Sequence, residues 1–174
     1  MTETATSLTN WRHSLRNSSK NSGSIHAPAC GIGELTIDEL TELVIGCAIA
    51  VHAALGPGLL ESIYRDCLFI ELTLAGLQVS REHSVRIEYR GHRIHGDLRI
   101  DLLVDGRLVI EVKTLDRLHP VHQAQVITYL KLSGCPAGLL LNFNATSLRA
   151  GLKRLDHPTL YAEKLAAKRS PSVR

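Results

Sequence analysis

The amino-acid sequence predicts an α/β sandwich in which helices cover a mixed β-sheet. Three observations carry that prediction. Two stretches with apolar residues at helical spacing fill Thr36 to Ala75, two apolar strands meet at Asp105-Gly106, and a helix-length segment separates that pair from the apolar run Ala137 to Phe143. Such a run is expected of an interior strand covered on both faces.

Taken in order, residues 1–33 are rich in Ser, Thr, Asn and Gly and carry Arg12, Arg16 and Lys20. Without apolar periodicity they form an expected disordered basic arm. Thr36 and Glu39 make a capping-box pattern, and Leu40, Leu43, Val44, Cys47 and Val51 continue at helical spacing to about Leu55. Gly56-Pro57-Gly58 breaks this helix, and a second is expected from near Leu59 to about Ala75, with Gly76 as its C′ residue. Gln78 to Tyr89 alternates as one strand with Val79, Val85 and Ile87 inward, and Arg90-Gly91 turns into the next.

The central pair follows, Gly96 to Lys113, turning at Asp105-Gly106. Pro120 suits the first position of a third helix, whose apolar set is Ala124, Ile127 and Leu130 and whose end is Gly134. Gly151 to Leu155 adds a short edge strand, and 158–174 is expected as a basic tail with Lys164, Lys168, Arg169 and Arg174. The element order is thus α, α, β, β, β, α, β, β within a domain spanning 34–157.

Composition narrows the function classes. The chain has 174 residues, 44% hydrophobic and 21% charged, with no apolar run near the roughly 20 residues that span a bilayer. A net charge of +3 permits a nucleic-acid partner without requiring one. Cys30, Cys47, Cys67 and Cys135 are widely spaced without a CxxC, as expected of free thiols in a reducing, cytoplasmic setting. There is no GxxxxGK[ST] for nucleotide phosphates and no GxSxG nucleophile elbow.

Chemistry concentrates in the central pair, where Asp101, Glu111 and Lys113 interrupt strands that are otherwise apolar. Carboxylates brought within about 4 Å of one another repel by on the order of 4 kcal/mol per pair near a protein surface, so a cluster stays ionised only around a cation. Oxygen ligands favour Mg²⁺ or Mn²⁺, and the main-chain carbonyl of Val112 is a natural further ligand. Lys113, two residues beyond Glu111, shares its face and can position an attacking water or stabilise charge on a phosphoryl group. The competing reading makes these solvated edge residues with Lys113 as a gatekeeping charge.

Geometry sets a condition. A two-residue turn at Asp105-Gly106 would send Asp101 and Glu111 to opposite faces. A common site requires an odd loop or a bulge.

Asp101, nine intervening residues, then Glu111-Val112-Lys113 resembles the core motif of the PD-(D/E)XK nuclease superfamily, with Ile100 where that motif has Pro. Gln125-Val126-Ile127-Thr128-Tyr129 resembles the QxxxY motif of the RecB-like branch, and Gly58-Leu59-Leu60-Glu61-Ser62-Ile63-Tyr64 the signature of the GxxExxY family. The resemblance covers about Ile37 to Leu155. It implies a restriction-endonuclease-like α/β/α sandwich with a mixed central sheet and a Mg²⁺- or Mn²⁺-dependent nuclease acting on nucleic acid, DNA before RNA. It also implies that Glu61 completes the metal shell with Asp101, Glu111 and Val112, and that Gln125 orients Lys113 or a phosphate while Tyr129 contacts the substrate backbone.

Each added residue has a plainer role open to it. Glu61 lies in a first helical turn, where the macrodipole favours a negative charge, and can pair with Arg65. Tyr64 suits a core aromatic with its hydroxyl at the rim. His122, Gln125 and Tyr129 form a stripe apart from the apolar set that also suits solvent. His119 and His122 are too sparse for zinc. A non-catalytic nucleic-acid- or partner-binding module of the same fold, using Arg81, Arg86, Arg90, Arg93 and Arg99, is the competing function, with a homo-oligomer or protein partner open to either.

Overall fold

The computed structural model describes residues 35–96 and 98–160. The expected arm at 1–33 and the tail from 161 onward lie outside them, as does Asp97. Helix α1 (Ile37–Leu55) opens on the expected capping box, in which the Glu39 N–H donates to Thr36 Oγ1 at 3.3 Å and the Thr36 N–H donates to Glu39 Oε2 at 2.8 Å. These bonds satisfy two of the donors that a helix N-terminus leaves without partners. It ends at Gly56, whose φ of 66° suits a residue without Cβ.

Helix α2 (Glu61–Leu74) starts two residues later than the spacing suggests. The Leu59 N–H donates to the Tyr64 hydroxyl at 3.2 Å, and Leu60 is extended. The same hydroxyl donates to the Gly56 carbonyl at 2.5 Å, so Tyr64 ties both sides of the Gly-Pro-Gly corner from within the core, where its ring stacks on Phe143 at 4.6 Å.

The expected single strand over 78–89 is two. Strand β1 (Val79–Ser84) joins the main sheet, whereas β2 (Ile87–Tyr89) pairs only with β3 (His92–Ile94) as a separate two-stranded ribbon. Val85 separates them because its side chain turns into the core and its N–H donates to the Leu98 carbonyl at 2.9 Å. Arg90 and Gly91 both have positive φ and form the ribbon's two-residue turn, with Tyr89 opposite His92.

Strands β4 (Arg99–Val104), β5 (Leu108–Lys113), β6 (Ala137–Asn142) and β7 (Leu152–Asp156) complete a sheet of order β1-β4-β5-β6-β7. Among the described strands only β5 and β6 run parallel, joined across α3 (Pro120–Ser133). Helices α1 and α2 cover one face over Leu102, Val104, Ile110, Val112 and Leu139. Helix α3 covers the other over Leu103, Val109 and Leu140. This is the expected α/β/α sandwich with a mixed central sheet. Gly138 permits the α3 packing, since a Cβ there would lie 2.7 Å from Val126 Cγ1.

The α3 face expected to be apolar is rotated. Ala124 is exposed and Ile127 half-buried, while Val126, Tyr129 and Leu130 are buried. The stripe that suited solvent is therefore the one turned inward at Tyr129.

Candidate active site

The β4–β5 connection is a three-residue loop. Leu102, Leu103 and Val104 stand opposite Ile110, Val109 and Leu108, leaving Asp105, Gly106 and Arg107 between the strands. Asp105 and Gly106 have φ of 50° and 65°. Asp105 holds that conformation by exchanging bonds with Gln78, its N–H donating to the Gln78 carbonyl at 2.8 Å and its Oδ1 accepting the Gln78 N–H at 2.9 Å. With Leu103 opposite Val109, Asp101 and Glu111, two residues on from each, lie on that same face of the pair. The odd loop thus brings both carboxylates to one face, the condition on which a common site depended.

At this point β4 and β5 part. The Val112 N–H donates to Asp101 Oδ2 at 2.8 Å, so the carboxylate stands in the ladder where a backbone carbonyl would. Asp101 Oδ1 lies 3.7 Å from Arg65 Nη1 of α2, which is also 3.4 Å from Glu82 Oε1. The expected Glu61–Arg65 partnership is replaced in the structure: Arg65 reaches to Asp101 and Glu82, and Glu61 Oε1 lies 3.6 Å from Lys113 Nζ.

Glu111 is 2% exposed. Its Oε1 accepts from Lys113 Nζ, while its Oε2 is buried with no hydrogen-bond partner. Burial, with the charge of Asp101 adding and Lys113 opposing, pushes its carboxyl up to about 7. Burial also lifts the Glu61 carboxyl, against the opposing charge of Lys113. For Lys113 burial works downward, but the hydrogen bond and charge of Glu111 and the charges of Glu61 and Asp101 outweigh it, and the ammonium sits above its ordinary value.

From the other side, α3 presents Gln125 and Tyr129, with Gln125 Nε2 donating to the Tyr129 hydroxyl at 2.8 Å. Burial raises the Tyr129 phenol despite that bond, and the charges of Glu111 and Asp101 add to the rise. His122 belongs to the helix start: its Nδ1 accepts the His119 N–H at 3.0 Å.

The structure gathers Glu61, Asp101, Glu111, Val112, Lys113, Gln125 and Tyr129 about one end of the sheet. Asn142 was missed, and Arg65 was read only as a partner of Glu61. Arg65 follows Tyr64 on α2, a helical turn beyond Glu61, and that spacing alone carried a signal. Asn142, buried beside Lys113 in the β5–β6 register, donates to the Leu115 carbonyl at 2.7 Å and accepts the Leu115 N–H at 3.0 Å. It fixes the chain leaving the site, and as a lone Asn within an apolar run it gave no signal.

Among the described residues, no group of three His, Cys, Asp or Glu side chains is arranged to hold a metal ion alone. The carboxylates converge on Lys113 and Arg65. The donor set still suits a divalent cation in its chemistry. Glu111 keeps a buried oxygen without a partner, and a buried unpaired acceptor costs free energy unless a donor or cation meets it.

Fold and cluster together define a class: an α/β/α scaffold whose central hairpin carries Asp, Glu and Lys where its strands part. Residues 38–155 match the family model of the PD-(D/E)XK nuclease superfamily, and the chain belongs to that superfamily. Among solved structures it is similar to the crystal structure of SSO0001, at 24% identity and a TM-score of 0.44, with 78% of this chain and 70% of that chain covered. No curated protein matches the sequence significantly.

Proposed function

We propose that the protein is a Mg²⁺- or Mn²⁺-dependent nuclease hydrolysing phosphodiester bonds, with DNA the preferred substrate. The observation that carries this is Glu111: a buried carboxylate with one oxygen on Lys113, the other without a partner, and Asp101 on the same face of an odd-loop hairpin. Glu61, Asp101, Glu111 and the Val112 carbonyl are the residues that would hold the ion. An ion bound there would supply Lewis-acid polarisation of the phosphate and a lowered pKa for the attacking water.

The remaining roles belong to the chain itself. Lys113, kept protonated by its carboxylate neighbours, stabilises negative charge building on the phosphoryl oxygens. Gln125 holds the Tyr129 hydroxyl, and with Tyr129 only 2% exposed it is the half-buried Gln125 that would face the substrate, in place of the expected Tyr129 contact. Arg65 holds Asp101 against Glu82 and keeps its second oxygen on the Val112 N–H.

Within the superfamily we assign the chain to the GxxExxY family and the RecB-like branch. Tyr64 supports this, because its hydroxyl fixes the corner from which Glu61 starts the helix. The nuclease domain is taken as 34–157, flanked by a basic arm at 1–33 and a tail at 158–174, in a cytoplasmic protein.

The arrangement of charges favours one competing reading. Lys113 and Arg65 balance the carboxylates without a metal, as a non-catalytic nucleic-acid- or partner-binding module would require. Incubation of the purified protein with single- and double-stranded DNA and RNA in Mg²⁺ or Mn²⁺ separates the two. Cleavage that Asp101→Ala and Lys113→Ala each abolish is expected; absence of cleavage, with no calorimetric Mn²⁺ binding that Glu111→Ala removes, favours the module.

A further inference from the structure

Glu82 sits in the middle of β1 with a φ of 48°, in the left-handed region that a glutamate enters only at a steric cost. The ladder does not repay that cost. Arg81 and His83 pair with Leu102 and Ile100, whereas the register skips Glu82 between them, and the position skipped on β4 is Asp101. Strain kept at one non-glycine residue beside a candidate site points to a function for the conformation.

What the conformation achieves is a second carboxylate on Arg65. Arg65 Nη1 lies 3.4 Å from Glu82 Oε1 and 3.7 Å from Asp101 Oδ1. Asp66 is 4.0 Å from Arg65 Nε, but Arg81 holds it at 3.3 Å, and Nε is buried with no hydrogen-bond partner. Charge-assisted N–H···O bonds run to about 2.7–2.9 Å, so Arg65 stands between Glu82 and Asp101 at ion-pair distance without the fork geometry that would fix it on either. A guanidinium held in this way by charge shifts from one carboxylate to the other at little cost.

The Val112 N–H engages Asp101 Oδ2 at 2.8 Å, which leaves Oδ1 to meet a cation, and Oδ1 is the oxygen that Arg65 faces. A guanidinium and a divalent cation repel strongly when both approach one carboxylate oxygen. On the metal-dependent reading above, on which this inference rests, Arg65 must therefore leave Oδ1 when the ion enters. We propose that Arg65 guards the metal site and that Glu82 is its positioning residue, taking the guanidinium as the cation takes Asp101. Arg65 Nη1 already lies nearer Glu82 than Asp101, and the Glu82 side chain, 51% exposed, has room to follow the shift. The guard keeps Asp101 ionised before the ion arrives and sets how readily the ion binds.

Calorimetric titration of the chelator-stripped full chain with Mn²⁺ tests this at pH 8, above the value of about 7 to which the Glu111 carboxyl is pushed. Arg65→Met removes the competing charge and should tighten Mn²⁺ binding by on the order of tenfold. Glu82→Gln leaves Arg65 to Asp101 alone and should weaken binding several-fold. Combined with Arg65→Met, Glu82→Gln should change the affinity by no more than about twofold, so that loss of the guanidinium rescues the Glu82 variant, which two merely structural residues would not do. Far-ultraviolet dichroism checks folding, and should Arg65→Met not fold, Glu82→Gln decides alone. Binding that Arg65→Met weakens, that Glu82→Gln leaves unchanged, or that Glu82→Gln weakens equally in both backgrounds overturns the guard and leaves the metal reading standing. Should neither the native chain nor Arg65→Met bind Mn²⁺, the metal reading falls and the guard falls with it.

Discussion

Glu111→Gln isolates the electrostatic strain stored in the site. Burial and the neighbouring carboxylates push the Glu111 carboxyl from 4.5 to about 7, a difference of about 2.5. The native state therefore holds this proton to higher pH than the unfolded chain, and between 4.5 and 7 it binds more protons than the unfolded state. Stability falls as pH rises through that window. The cost is absent below 4.5 and complete above 7. At about 1.36 kcal/mol per unit, the full difference is on the order of 3 kcal/mol, an upper value because opening the site to water would shed part of it. Glutamine mimics the neutral form without titrating. Urea denaturation in chelator at intervals from pH 4.5 to 8 should give curves that diverge upward through this range, with Glu111→Gln the more stable at pH 8. Parallel curves would refute the burial argument. Adding Mg²⁺ at pH 8 should stabilise the native sequence and leave the glutamine variant nearly unchanged.

Tyr64→Phe keeps the ring stacked on Phe143 but removes the partner of the Gly56 carbonyl and the Leu59 N–H; thermal unfolding should show a loss of about 1–2 kcal/mol, and cleavage should fall further than stability because Glu61 begins at that corner. Gly138→Ala drives a methyl to 2.7 Å from Val126 Cγ1 and should cost about 1–3 kcal/mol by denaturant titration, with an unchanged midpoint counting against the close α3 packing. Arg90→Ala with Arg93→Ala on the exposed β2–β3 ribbon should lower the slope of log affinity for duplex DNA against log salt by up to about 2, and an unaltered slope would remove the ribbon from the DNA-binding surface.

Elements whose signals are local were legible in the sequence: the Thr36/Glu39 box, the Gly-Pro-Gly break, Pro120 at a helix start and the Ala137 to Phe143 run each depend on neighbours within a few residues. Failures came where tertiary contacts decide. Val85 lies in an alternating stretch, yet its turn into the α3-side core splits that stretch into two strands belonging to different sheets. The inward face of α3 was misjudged because Tyr129 counts as amphipathic, and its hydroxyl finds a partner one turn back in Gln125, which lets the ring be buried. Arg65 was assigned to Glu61 by helical spacing, but the longer reach to Asp101 and Glu82 pairs one guanidinium with two carboxylates in place of one.

The candidate site was legible for a different reason: its chemistry violates the local rules that the rest of the hairpin obeys. A β-strand pair of this apolarity gains by burying every side chain, and each charge within it costs desolvation. The costs are met in a connected way. The three-residue loop puts Asp101 on the Glu111 face, Asp101 caps the Val112 N–H where the strands part, and Lys113 there meets Glu61 at the start of α2. Shortening the loop by one residue would keep two apolar strands and their hydrogen bonds but turn Asp101 away from Glu111. The sheet could then be more stable and the site would be gone. The positive φ of Asp105, tolerated because Gln78 bonds it on both sides, is the local conformational cost that keeps the carboxylates together.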